Sequence, residues 1–220
     1  MDIKPVAYFR SPLGSKFGAP RQSGLADIPG DIVFVAPYDD PNALRSLEGF
    51  DYVWLIWGFS ANHVTSRDWS PTVRPPRLGG NSQVGVFASR SPFRPNPLGL
   101  SAVRITSIEP GIIHTVGADL IDGTPIYDVK PYLPYADAFP EARSGFAPTA
   151  PSASLQVAWA APSPFSPEDT ATIERILALD PRPAYSDDSA KVYGFPFAGR
   201  DIRFTVSGGT ATIIEVAPQR

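Results

Sequence analysis

Apolar residues along this chain recur in short runs broken by proline or glycine, a pattern of strands and turns rather than long helices. The segments KPVAYFR (4–10) and DIVFVAP (31–37) read as strands, with a turn-rich loop, KFGAPRQSG (16–24), between them. PNALRSLEGF (41–50) predicts a short helix, because Leu44 and Leu47 share one face. DYVWLIWGF (51–59) is an unbroken aromatic and β-branched run, the pattern of a strand buried on both faces. Further strands are expected at 84–89, 101–110, 112–121 and 125–132, whereas Pro71, Pro75 and Pro76 forbid a helix across 70–83. Strands at this spacing predict a compact barrel or sandwich.

The pattern changes near residue 147. A Pro/Ala/Ser-rich connector containing one strand leads to SPEDTATIERILAL, where Ser166 is placed as N-cap and Pro167 as the first helical residue, with acids in the first turn. A hairpin follows, DIRFTV then TATIIEV, joined at Ser207-Gly208-Gly209. The expected fold is mainly β with a small α+β part: a β-rich domain over 1–148 and a small α/β domain over 149–220.

Composition supports a folded, turn-rich protein: 26 prolines and 18 glycines stand among 220 residues that are 43% hydrophobic. Cysteine is absent, which excludes disulfides, thiolate metal sites, iron–sulfur clusters and cysteine nucleophiles. The first residues, MDIKPVAYF, have neither the basic nor the apolar stretch of a signal peptide. The longest apolar run, 53–59, is far short of the ~20 residues that span a bilayer, so the expectation is a cytoplasmic protein with no membrane partner. Net charge is −3, yet between Arg67 and Arg104 six arginines face Asp68 alone, giving that segment +5. Arginine grips phosphate or carboxylate in a planar fork, so an anionic partner fits the cluster better than scattered salt bridges do.

No dinucleotide or P-loop fingerprint, serine-hydrolase elbow or metal-ligand spacing is present, and the only histidines are His63 and His114. Any chemistry would rest on carboxylates, arginines and backbone. DLIDGTPIYDVKPY supplies the carboxylates: Asp119, Asp122, Asp128 and Lys130 flank the turn Asp122-Gly123-Thr124-Pro125. That turn could present backbone N–H groups to a ligand, or be a plain β-turn whose aspartate caps its own backbone. In GVFASRSPFRPNPLGLS (85–101), prolines fix φ and hold a loop in one shape, presenting Arg90 and Arg94 at low ordering cost. Gly99 lets a backbone approach closely.

Taken in order, APRQ (19–22), DYVWLIW, RPPRLGG, RSPFRPNPLGLS, DLIDGTPIYDVKPYLP and DPRPAY resemble the TsaA-like family of tRNA methyltransferases. The resemblance spans residues 4–148, and DPRPAY with the terminal hairpin extends it into the second domain. It implies a single-sheet β-barrel, S-adenosylmethionine as cofactor without a metal, and methylation of N6 in threonylcarbamoyl-adenosine beside the anticodon of a threonine tRNA. It further implies cofactor contacts at Pro20, Arg21, Gln22, Ser60, Ala61, Arg90, Leu100, Asp122, Gly123, Thr124 and Pro125. Relatives often carry a histidine straight after the aromatic run, where Ser60 follows Phe59 here.

Methyl transfer from a sulfonium is a displacement in which positioning does most of the work, and the acceptor nitrogen must also lose a proton. Asp128 and Asp122 are the candidate acceptors. Arg67, Arg74, Arg77 and Arg94 are the candidate RNA contacts, and a homodimer is left open. Two other readings compete: a non-catalytic module binding S-adenosylmethionine or tRNA, and a methyltransferase for an acidic small molecule.

Overall fold

The computed structural model describes residues 2–61, 69–75, 82–182 and 188–219. Arg67, Arg77, His63, most of RPPRLGG and the end of DPRPAY lie outside them. The N-terminal part is built on β1 (Ala7–Arg10), β2 (Pro29–Phe34), β3 (Tyr52–Gly58), β6 (Leu98–Glu109), β7 (Ile112–Val116) and β8 (Pro125–Pro131). These close into one antiparallel barrel in the order β1-β2-β7-β6-β3-β8. Two short strands, β4 (Thr72–Val73) and β5 (Val84–Gly85), pair with each other outside it.

The barrel interior follows from period-2 alternation: Phe9, Ile32, Val53, Leu55, Val103, Ile113 and Ile126 are buried within it. Strand β3 corrects the expectation of burial on both faces. Val53, Leu55 and Trp57 are buried, Trp54 and Ile56 are half-buried, and Tyr52 is exposed. The outer positions are apolar because they have partial cover. Trp54 packs against Tyr132 and donates its indole N–H to Asp137 of α1 (Pro134–Asp137) at 2.9 Å.

Four other expectations change. The helix expected over 41–50 is two 3-10 turns, 41–44 and 47–49, because Ser46 between them takes a left-handed φ of 67°. VGVFAS pairs for two residues only and then turns in 3-10 geometry over 86–88, burying Val86 and exposing Phe87. Strand β6 begins three residues earlier than expected and so takes in Leu98-Gly99-Leu100. Strand β7 ends at Val116, after which Gly117 (φ 86°) bends the chain.

The C-terminal part is a four-stranded sheet, β10 (Tyr193–Phe197), β11 (Arg200–Ser207), β12 (Thr210–Pro218) and β9 (Gln156–Trp159), in that order. Helix α2 (Pro167–Ala178) packs Ile173, Ile176 and Leu177 into its core. The expected cap is present: Ser166 Oγ accepts the Asp169 N–H at 3.1 Å. So is the hairpin, whose Gly208 and Gly209 both hold positive φ, as a two-residue type I′ loop requires. Strand β10 was not foreseen in the sequence. Its Pro196 is tolerated because β10 is an edge strand.

The second core is not made from the C-terminal part alone. Leu13, Ala26 and Ile28, from the loop between β1 and β2, are buried in it, and Phe17 stacks on Tyr193 and Phe204. The loop that carries Pro20-Arg21-Gln22 is thereby fixed at both ends.

Candidate functional site

Four segments meet at one end of the barrel. The β7–β8 connection, 117–124, lies against the β1–β2 loop: Gly24 N–H donates to Gly117 O, Asp122 N–H to Leu13 O, and Gly123 N–H to Phe9 O, each at 2.8 Å. The β5–β6 loop joins them, because Arg90 Nη1 donates to Gln22 Oε1. The end of β3 joins through the Phe59 N–H, which donates to Pro97 O at 3.0 Å. Gln22, Arg90, Ser60 and the Asp122–Pro125 turn are far apart in sequence, and these contacts bring their segments together.

Within the turn, Thr124 N–H closes on Ile121 O at 3.3 Å, and the Thr124 hydroxyl donates to the same carbonyl at 2.7 Å. Gly123 holds φ 74°, and a Cβ built on it would meet nothing within 4 Å, so there is open space beside it. The N–H groups of Asp122, Gly123 and Thr124 are all bonded within the fold, however, and the turn does not present them to a ligand as the sequence suggested. Asp122 acts as a local brace: Oδ1 accepts the Ser11 N–H at 3.2 Å and Oδ2 lies 3.8 Å from Arg10 Nη1. Pro125 pairs with Tyr8 of β1.

Arg21 points elsewhere, toward the C-terminal part, where Nη2 donates to Arg182 O at 3.2 Å. Pro20 and Arg21 line a cleft of about 400 Å³ shared with Ile176, Leu179 and Asp180. Asp180 pairs with Arg182 at 2.8 Å. Burial pushes the Asp180 carboxyl up, but bonds to Arg182, with Arg21 nearby, outweigh it and hold the carboxyl below its ordinary value.

Other expected residues do not join this end. Leu100 is 54% exposed on the outer face of β6, opposite Ile56, and Asp128 is the next residue in that row on β8. Asp128 Oδ2 pairs with Lys130 Nζ at 2.7 Å in solvent. Arg94 turns back on its own loop, donating to Ser89 O at 3.1 Å and lying over the Phe87 ring. Arg74 is exposed.

The end of the barrel also holds a buried polar chain that sequence reasoning passed over. Trp57 Nε1 donates to Ser101 Oγ at 3.0 Å, and the Ser101 hydroxyl donates to Asp119 Oδ1 at 2.6 Å. Burial pushes the Asp119 carboxyl above its ordinary value, although Ser101, the backbone and the Arg90 charge all favour the ionised form. Two signals in the sequence pointed here: Ser101 falls on the inward register of β6 between Gly99 and Val103, and Asp119 stands between two buried residues, Ala118 and Leu120.

Comparison with known proteins agrees with this architecture. Residues 8–138 match the tRNA-methyltransferase O N-terminal domain, and residues 152–219 match the TrmO C-terminal domain. A tRNA (adenine(37)-N6)-methyltransferase from Escherichia coli is 38% identical, covering 99% of this chain and 98% of its own. An S-adenosyl-L-methionine-binding protein from Archaeoglobus fulgidus is 33% identical over 62% of this chain and 93% of its own. The crystal structure of TrmO from Pseudomonas aeruginosa superposes with a TM-score of 0.79 at 32% identity, covering 99% of this chain and 97% of that one. With both domains matched in order and nearly the whole chain superposing on a solved member, the chain belongs to the tRNA-methyltransferase O family.

Proposed function

We propose that this protein is an S-adenosylmethionine-dependent tRNA methyltransferase acting on N6 of the adenosine at position 37, the site named for its Escherichia coli relative. Its substrate form in this proposal is threonylcarbamoyl-adenosine, beside the anticodon of a threonine tRNA. The observation that carries the reading is the meeting of Gln22, Arg90 and the Asp122–Pro125 turn at one barrel end, beside a partly buried carboxylate.

The donor set there suits S-adenosylmethionine. A guanidinium can take its carboxylate and the Gln22 side-chain amide its polar edges, and the space beside Gly123 allows close approach. Pro20, Gln22, Ser60, Ala61, Arg90 and Asp122 to Pro125 would hold the cofactor, with Arg21 and Leu100 at the margins. When bound, the cofactor supplies an electrophilic methyl group. The protein's part is to orient and to exclude water: the prolines of 92–97 hold Arg90 in place, and the second core fixes the loop that carries Gln22.

Arg67, Arg74, Arg77 and Arg94 are proposed to face tRNA phosphate, with Arg94 first having to leave the Ser89 carbonyl. A cytoplasmic location, a homodimer and a domain division near residue 148 belong to the same proposal. Among the described residues, no helix is long and apolar enough to cross a membrane. The test is incubation of purified tRNA with the protein and methyl-labelled S-adenosylmethionine, followed by nucleoside mass spectrometry. Label in methylated threonylcarbamoyl-adenosine is the expected result. Binding of cofactor and tRNA without any label transfer would favour the non-catalytic module.

A further inference from the structure

Among the described residues, four buried polar side chains lie in the two cores: Ser101, Thr115, Thr124 and Thr172. Three of them give their hydroxyl proton to a backbone carbonyl, Gly30 O, Ile121 O and Glu168 O. Ser101 alone gives it to a carboxylate. The direction of that bond is forced. An indole N–H can only donate and an ionised carboxylate can only accept, so Trp57 occupies an acceptor site of Ser101 Oγ, and the serine's single proton points at Asp119 Oδ1.

The chain is also held rigidly. Trp57 lies flat over Gly99, where a Cβ would come within 2.2 Å of the indole, and its other side meets Phe59 edge-on at 4.4 Å. One oxygen of Asp119 is therefore fixed and occupied. The second, Oδ2, takes no donor from another described residue, and no buried side-chain polar atom among the described residues is left unpartnered. Asp119 itself is only half-buried, and it stands in the β7–β8 connection, which meets the segments of Gln22 and Arg90 at the barrel end. Arg90 is the one charged group among the described residues that acts on Asp119, and the two form no ion pair.

We propose that Asp119 is the proton acceptor of the methyl transfer, a role that rests on the tRNA methyltransferase reading above. As the lone pair of the acceptor nitrogen forms its bond to the methyl carbon, the carbon–sulfur bond breaks and its electron pair stays on sulfur. The N–H proton passes to the Asp119 carboxylate, leaving a neutral carboxylic acid and a neutral N-methylated urea, and the acid later returns its proton to water. Burial raises the carboxyl above its ordinary value, toward the range where a base is effective, while the bond from Ser101 favours its ionised form. Asp122 and Asp128 lack this arrangement, since each is exposed beside a cation.

The experiment pairs Asp119→Asn with Ser101→Ala, using labelled methyl transfer to tRNA across pH and carboxyl carbon-13 NMR of the cofactor-free protein. Wild type should show an acid limb in kcat/KM, which reports the free protein, that matches the Asp119 titration seen by NMR. Asp119→Asn should lower kcat about 10²–10⁴-fold, with KM for tRNA and cofactor affinity within a few-fold, and should abolish the limb. Ser101→Ala removes a bond to the charged form, so both the NMR titration and the limb should move to higher pH together. Asp119→Glu should recover part of the rate. If Asp119→Asn keeps kcat, or if Ser101→Ala moves the NMR titration without moving the limb, the proposal is overturned. Should Asp119→Asn fail to fold, the Ser101→Ala comparison decides alone. A wild-type protein without methyl transfer would instead sink the parent reading.

Discussion

The barrel core and the core of the C-terminal sheet differ in what they bury. The second core closes on Phe195, Phe197, Phe204 and Tyr193, with Thr172 bonded inside its own helix. The barrel core is mostly aliphatic, with Phe9 among its members, but ends in Trp57, Ser101 and Asp119. Burying a carboxylate works against stability, and an aromatic core without such groups adds to it. The two regions therefore divide the work. One end of the barrel holds chemistry at some loss of stability, and the sheet supplies packing that also anchors the loop of Gln22.

The strongest way to break that comparison is Phe204→Ala. Phe204 is fully buried and touches Phe17, Tyr193 and Phe195, so emptying its site should cost about 3–5 kcal/mol in denaturant unfolding. Because Phe17 leads into the Gln22 loop, calorimetric affinity for S-adenosylmethionine should also fall. An unchanged affinity in the folded variant would show that the second core does not support the loop. Next in size is Gly99→Ala, whose methyl must displace the Trp57 indole and should cost about 1–3 kcal/mol. Its sharper readout is methyl transfer, which should fall more than stability does as the Trp57–Ser101 bond is lost.

Ser166→Ala tests the opposite side. Loss of the α2 cap should lower stability by about 1 kcal/mol and leave kcat unchanged. The smallest effect concerns the outer face of the barrel, where His114 Nδ1 lies 2.7 Å from Asp31 Oδ1 and Nε2 lies 3.5 Å from Glu109. The Asp31 hydrogen bond holds the imidazole above its ordinary value of 6.5, against the opposing effect of burial. The resulting stabilisation is fully present below pH 6.5 and lost as pH rises through the higher folded-state value. The difference between melting temperatures measured on either side of that window should be smaller in Asp31→Asn than in wild type, with Glu109 sustaining the remainder.

Much of the fold could be read from local chemistry. Ser166-Pro167 sets a helix start, Gly208-Gly209 a hairpin loop, and the alternation in β1, β2 and β8 a half-buried sheet. What escaped depends on contacts distant in sequence. Pro196 argues against a strand until β10 is known to lie at an edge, and the left-handed turn at Ser46 splits a segment whose apolar spacing suits a helix. The site divides in the same way. Arg90, Gln22 and the Asp122 turn stand in specific motifs, whereas Asp119 matters through its burial and its serine partner, and a residue 18 positions away in sequence supplies that bond.

Leu13, Ala26 and Ile28 lie early in the chain yet are buried against strands that come at its far end. During synthesis, at roughly 5–20 residues per second, these side chains wait in water for several seconds after the barrel strands have left the ribosome. The loop that carries Gln22 thus takes its final shape last. A chain cut short before β10 would carry every barrel strand but not the packing that fixes this loop, so competence for the reaction would arrive only with completed synthesis.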